Sequence, residues 1–201
     1  MKSSLRSIYT TAALLLVIGA IGDAFLALAP TDPDASDIGD TSRGPRYQEI
    51  ADPAAFINTD GITIESLIGK KVILVDFMTY SCINCQRTFP YLVAWYDRYR
   101  DQGLEIVGIH TPEFAFEKNI ANVENAMRQF GIRYPVVLDN TYATWRAYGN
   151  RYWPRKYLID IHGTIVYDHI GEGAYEETEM KIRELLAERA RALGESMPAD
   201  D

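Results

Sequence analysis

Cysteine is nearly missing from these 201 residues: Cys82 and Cys85, spaced Cys-Ile-Asn-Cys, are the whole complement. Two cysteines in a single CxxC cannot build the disulfide framework that staples small secreted domains. A zinc site needs two further ligands at useful spacing, and the chain has neither a second CxxC nor a paired histidine. Its three histidines, His110, His162 and His169, are scattered. Covalent haem attachment requires histidine directly after the second cysteine, where this chain has Gln86. Positive charge is also short, 20 Lys and Arg against 28 Asp and Glu. No basic stripe occurs, so nucleic acid is not an expected partner, and the acidity reads as solubility. No internal repeat is present, and a chain of this length is one domain with appendages. For the CxxC, a redox pair or two inert core cysteines remain.

Its position favours the redox pair. Val72-Ile73-Leu74-Val75-Asp76-Phe77 is a short, β-branched apolar run, the pattern of a fully buried strand. After Cys85, Phe89, Leu92, Val93 and Tyr96 recur at helical spacing. The two thiols therefore stand one turn apart where a strand runs into a helix, with the first at the positive end of the helix. That placement lowers a thiol pKa and yields a reactive thiolate at neutral pH. Cys82 is the expected nucleophile and Cys85, one turn further in, the resolving thiol. Asp76 breaks the apolar pattern of the strand six residues before Cys82. If buried, its pKa rises toward neutrality and it becomes a usable acid and base. On the residues alone, a hydrated carboxylate at a strand end fits equally well.

At the amino terminus, Lys2 and Arg6 precede the apolar run Ala12 to Ile21, the layout of a secretory signal. Uncut, Ala12 to Ala29 is long enough to span a bilayer, and the two basic residues would orient the rest of the chain outside. Residues 1–29 are expected to be a signal peptide or membrane anchor, 30–46 a flexible acidic linker, 47–195 the folded domain and 196–201 a tail. Within the domain the pattern predicts strands at Gly61–Ile64, 71–77, Leu104–His110, Pro135–Leu138, Lys156–Asp160 and Thr164–Asp168. Helices are predicted to follow Cys85 to about Arg100, and to cover Phe116–Phe130, Tyr142–Tyr148 and Tyr175–Leu193. Pro90 predicts a kink in the first. Ile161-His162-Gly163 marks a hairpin. This is an α/β layout, a mixed central sheet with helices on both faces.

A CxxC at the first long helix, followed by that layout, resembles the thioredoxin superfamily. The blocks Val75-Asp76-Phe77, Tyr80 to Tyr91 around the CxxC, His110-Thr111-Pro112-Glu113-Phe114, Tyr152-Trp153-Pro154 and Gly171-Glu172-Gly173 sharpen the match. Together they look like the thioredoxin-like domain of DipZ-type proteins, relatives of the TlpA-like extracytoplasmic thioredoxins, over roughly residues 60–190. The resemblance implies a thioredoxin-like fold and a role for Asp76 in handling the proton of the resolving thiol. It also implies a cis-proline at Pro154 beside the CxxC. The backbone of Trp153 would then offer hydrogen bonds to an extended substrate strand. Thioredoxins usually carry Trp just before the first cysteine; here Ser81 stands there, and Tyr80 and Trp153 are expected to supply the apolar surround. Glu113 and Glu172 could frame the site, although exposed loop carboxylates are the plainer reading. Most of Tyr142, Trp145, Tyr148, Tyr152 and Tyr157 read as core. DipZ proteins join this domain to an electron-transferring membrane domain, which these residues do not contain, so a separate membrane protein is the expected electron donor.

The expected activity is therefore extracytoplasmic thiol–disulfide exchange, with exported disulfide-containing proteins as substrates, apocytochrome thiols among them, by a monomer without cofactor or resident metal. Ile83 and Asn84 carry no charge to over-stabilise a thiolate, which places the expected potential near the reducing thioredoxins at roughly −270 mV rather than the oxidants at about −120 mV. Three alternatives stand: a net oxidase or isomerase, a copper-delivery module using Cys82, Cys85 and a histidine, and a redox-inert adaptor. A peroxidase would place Thr three positions before its cysteine, as Thr79 is, but its further upstream proline is absent, Val75 standing there.

Overall fold

The computed structural model describes residues 44–196. The expected leader, most of the expected linker and all but the first residue of the expected tail lie outside the described residues. No helix among the described residues is long and apolar enough to cross a membrane.

Six strands form one mixed sheet in the order β1-β4-β3-β2-β5-β6. They are β1 Ala55–Ile57, β2 Val72–Met78, β3 Leu104–His110, β4 Val136–Leu138, β5 Arg155–Ile159 and β6 Ile165–Ile170. The centre is parallel, β2 against β3 and β3 against β4, and the remaining pairings are antiparallel. Every residue of β2 is buried, as its unbroken apolar run requires of a strand covered on both faces. Alternation along β2 sends Leu74 and Met78 to one face and Ile73, Val75 and Phe77 to the other. On the first face lie α1 (Ile83–Tyr99), α2 (Ile120–Gln129) and α4 (Tyr175–Leu193), contributing Phe89, Leu92, Val123, Met127, Ile182 and Leu185 among others. The second face is covered by the short α3 (Ala143–Ala147), through Trp145, and by the segment before β2, through Ile64 and Leu67. Helices thus cover both faces, but unevenly. Phe77 is met edge-on by Trp145, Tyr148 and Tyr157, so these aromatics are core.

Two expected elements are corrected. Gly61–Ile64 is not a strand; it leads into a 3-10 turn at Glu65–Leu67. The Glu49 carboxylate accepts from the backbone N–H of Ile64 and Glu65, so these donors are satisfied by a distant side chain instead of a sheet neighbour. The strand that flanks β4 is Ala55–Ile57, which the sequence pattern missed. The Phe116–Phe130 helix is two pieces, a 3-10 turn at Ala115–Lys118 and then α2. Asn119 breaks them, taking extended backbone angles and accepting from the Ala121 N–H as a helix cap. Elsewhere α1 runs through Pro90 as one helix, and α4 is fastened to it where Glu179 accepts from Arg98 (2.9 Å) and from the Tyr99 hydroxyl (2.6 Å). Packing is already established at Pro45 and Arg46: the Pro45 carbonyl accepts from Ile165 N–H and Arg46 bridges to Thr164.

Gly103, between α1 and β3, sits at φ 107°, and a Cβ there would lie 2.4 Å from Nε of Arg189. That guanidinium bonds the carbonyls of Lys70 and Gln102 and the Glu195 carboxylate, so it cannot retreat freely. Gly131, at φ 68°, has open space instead. Gly131→Ala should cost about 1–2 kcal/mol for left-handed backbone alone, and Gly103→Ala clearly more. Urea unfolding of both variants checks this; equal losses would contradict the close approach to Arg189.

Candidate active site

β2 ends at Met78, and the next four residues carry the chain over the edge of the sheet to Cys82, the N-cap of α1. Cys82 has extended backbone angles, φ −69° and ψ 118°, and its carbonyl accepts the first helical bond from Gln86 N–H at 3.0 Å. This strand-to-helix turn leaves the first sulfur half-buried and carries the second into the core, where Cys85 is fully buried. Both are free thiols.

The two sulfurs are electrostatically opposite. The Cys85 thiol donates to the Cys82 sulfur, which lowers the Cys82 pKa to about 6; the amides of Cys85 and Asn84 add to this, while partial burial and the Glu113 charge act against it. Those amides face the sulfur without closing a strict cap bond. They are among the unpaired N–H groups that every helix start presents. Cys85 moves the other way: burial, first, and its bond to Cys82 push its thiol far above the ordinary range. One thiol is an accessible anion near neutral pH and its neighbour holds its proton.

Below Cys85, Asp76 is completely buried on β2 and neither of its oxygens accepts a hydrogen bond from the protein. Burial raises its pKa to about 7, with Lys156 opposing the rise and Cys82 adding to it. Asp76 is therefore not a solvent-exposed carboxylate at a strand end. Lys156 was not singled out from sequence. It is fully buried on β5, in direct register with Asp76, and its Nζ donates to the Gly171 carbonyl at 3.0 Å. Burial pulls its own pKa down, against the pull of Asp76. Two-residue alternation with Leu158 was the available signal that Lys156 points inward. The buried Tyr134 hydroxyl, also without a partner, completes the group around Cys85 and Asp76.

A second missed residue is Glu117, which lies within the expected Phe116–Phe130 helix and was not singled out from sequence. Its carboxylate is buried and accepts four bonds: Thr79 Oγ1 (2.5 Å), Ser81 Oγ (2.5 Å), and the amides of Glu113 (2.6 Å) and Phe114 (2.8 Å). These contacts keep it ionised, its pKa lowered by the bonds from Ser81 and Thr79 and from the two amides, against the effect of burial. Because Thr79 spends its hydroxyl on Glu117, it does not serve Cys82 as a peroxidase threonine would. The Thr79 oxygen also lies 3.4 Å from Nε2 of His110, a buried imidazole whose pKa burial lowers to about 4.

The remaining expected residues fall as follows. The Trp153–Pro154 peptide is cis. Trp153 donates from its indole to the Thr111 carbonyl (3.1 Å), packs on Trp145, and shares with Cys82 and Tyr80 the rim of one core cluster. Tyr80 stacks on His110. Glu172 is engaged by Arg87 of α1 at 3.1 Å, which ties the Gly171–Gly173 turn to the cysteine-bearing helix. Among the described residues no group of three or more His, Cys, Asp or Glu is placed to hold a metal ion.

Comparison with known proteins follows the same line. The Redoxin family matches residues 50–186. DipZ of Mycobacterium tuberculosis is 53% identical over 134 residues, 65% of this chain. The chain spans only 19% of the length of that relative. The thiol-disulfide oxidoreductase ResA of Bacillus thuringiensis is 28% identical over 90% of this chain and 96% of its own length. Among solved structures, a thioredoxin-family thiol:disulfide interchange protein from Chlorobium tepidum superposes with a TM-score of 0.59 at 22% identity, over 72% of this chain and 97% of its own.

Two measurements test the electrostatics. Iodoacetamide should label Cys82 with a midpoint near the value of about 6 given above, and Cys85→Ala, which deletes the strongest stabilising contact, should move the midpoint up; a wild-type midpoint near 8.5, that of an ordinary thiol, would contradict the geometry. Asp76 has its folded pKa raised to about 7, above the unfolded value of about 3.9. The folded state is therefore favoured while the group is protonated and loses stability as pH rises through about 7. Asp76→Asn should match wild type at pH 4 and gain on it by roughly 1.4 kcal/mol per pH unit up to neutrality, measured on the reduced protein by chemical denaturation.

Proposed function

The chain belongs to the Redoxin family, and from that premise we propose that it works outside the cytoplasm, reducing the disulfides of exported proteins through Cys82 and Cys85. It is a thiol–disulfide oxidoreductase of the thioredoxin type. The observation that carries the proposed chemistry is the opposite polarisation of the two sulfurs, a half-exposed thiolate over a buried thiol.

In the proposed cycle the Cys82 thiolate attacks one sulfur of the substrate disulfide. An S–S bond forms between enzyme and substrate as the substrate S–S bond breaks, and the first substrate sulfur leaves as a thiolate. Asp76, ionised above about 7, takes the proton of Cys85. Cys85 then displaces the second substrate sulfur from Cys82, closing an 82–85 disulfide. The substrate gains two electrons and the enzyme loses two. Lys156 holds Asp76 below the value that burial alone would impose, so the base is available near neutral pH. On this reading Trp153 and Pro154, with Tyr80 two residues before the nucleophile, would receive an extended substrate strand.

Reduction is favoured over oxidation by the modest stabilisation of the thiolate. A pKa of about 6 lies nearer the thioredoxin value of about 7 than the about 3.5 of a strong oxidant. The apolar leader after Lys2 and Arg6 and the similarity to DipZ support an extracytoplasmic site of action. Oxidised enzyme would then draw electrons from a membrane dithiol donor.

Insulin reduction with dithiothreitol should be accelerated by the wild-type protein and not by Cys82→Ser; retained acceleration would sink the assignment. In stopped-flow resolution of a preformed mixed disulfide, the wild-type rate should rise with pH through about 7, and Asp76→Asn should resolve about a hundredfold more slowly with that pH step lost. Equilibration with glutathione decides the direction: a potential near −120 mV would mark an oxidase.

A further inference from the structure

Three large apolar side chains left 50–57% exposed lie on segments tied to Cys82: Ile83, Phe114 and Phe116. Ile83 follows the nucleophile directly. Phe114 and Phe116 come from the turn after β3 and stack face to face, centroids 5.5 Å apart and planes within 5°. Phe116 meets the ring of Tyr80 edge-on at 6.2 Å, and Tyr80 in turn stacks on the buried His110. An aromatic ladder thus climbs from the core to solvent beside the reactive sulfur. It is not a loose loop: the single Glu117 carboxylate binds Ser81, one residue before Cys82, and the Phe114 amide, so the ladder and the nucleophile share one anchor.

The reaction dictates what covers this surface. In a mixed disulfide the two Cα atoms stand about 4.4–6.8 Å apart, and the next residue of an extended substrate is one step of about 3.3 Å further. Side chains flanking the target cysteine must therefore rest on the rim of Cys82. On that rim Ile83, Phe114 and Phe116 are exposed and apolar, and exposed Glu113 adds a negative charge that already bears on the Cys82 sulfur. Arg87, the nearby cation of α1, is taken up by Glu172. An apolar flank fits such a surface and an acidic one is repelled.

We propose that Phe114 and Phe116 form a docking platform for an apolar side chain flanking the target cysteine in an extended, unfolded polypeptide, with Glu117 as the positioning residue that holds the platform beside Cys82. The inference rests on the oxidoreductase reading and narrows its substrate class to disulfides with apolar neighbours.

The test uses the reduced protein and three disulfides: two peptide dimers differing only in Leu-Phe or Ser-Asp beside the cysteine, and the small neutral hydroxyethyl disulfide. Wild type should reduce the Leu-Phe peptide about tenfold faster than the Ser-Asp peptide in kcat/KM. Phe114→Ala/Phe116→Ala should bring that ratio near one while leaving the hydroxyethyl disulfide rate unchanged. Glu117→Gln should keep the ratio, since its carbonyl can accept from the two amides while the Thr79 and Ser81 hydroxyls turn to accept from its NH₂; Glu117→Ala should lose it. A ratio equal in wild type and the double variant, or a parallel loss with hydroxyethyl disulfide, overturns the platform. A ratio retained by Glu117→Ala overturns the role of Glu117. Failure of wild type to reduce any of the three overturns the oxidoreductase reading and this inference with it.

Discussion

The hydrogen bond from the Cys85 thiol to the Cys82 sulfur is the contact on which the site depends, because it makes two chemically identical groups different. It stabilises negative charge on the outer sulfur and retains the proton on the inner one. The bond exists because residues i and i+3 at a helix start face each other, and because the sheet edge lies where one of them meets solvent and the other the core. Helix amides alone would favour a thiolate at either position. Burial decides which sulfur carries it.

Beneath that pair the fold accepts a cost. Asp76, Lys156 and Tyr134 place three polar groups in a core otherwise built from aliphatic and aromatic side chains, and Asp76 and Tyr134 find no protein partner there. Unsatisfied buried groups of this kind are rare in native cores and concentrate where chemistry needs them. Asp76 and Lys156 face each other across β2 and β5, so the register of one antiparallel strand pair sets the proton affinity of the group nearest Cys85. Glu117 contrasts with Asp76. Four donors satisfy it, it stays ionised, and it holds two loops together, whereas Asp76 is left free to change protonation.

The order of elements was largely readable from the chain. β2 and β3 are unbroken apolar runs, α1 and α4 have sustained helical periodicity, and such signals depend on neighbours within one or two turns. The failures have a common origin. Gly61–Ile64 looked like a strand because its side chains are right for one, but the Ile64 N–H is claimed by Glu49, fifteen residues upstream, and the Gly61 N–H by Thr59. Ala55–Ile57 is too short to show a period and becomes a strand only because β4 offers an edge. The Phe116–Phe130 helix breaks at Asn119, whose side chain competes for backbone bonds.

For the site the division is similar. Sequence alone determined that there is one pair of thiols, that they straddle a strand–helix junction, that an acid interrupts the strand leading to them, and that no second cysteine motif competes. Each of these is a matter of residue type and spacing along the chain. Tertiary structure alone decided that Asp76 is fully buried, that Lys156 faces it from another strand, that Glu117 is a buried anchor, and that Glu117 ties the Phe114 segment to the residue before the nucleophile. Burial and charge pairing act through space, across as many as 80 residues between Asp76 and Lys156, and no local pattern encodes which distant side chain a folded sheet will bring opposite.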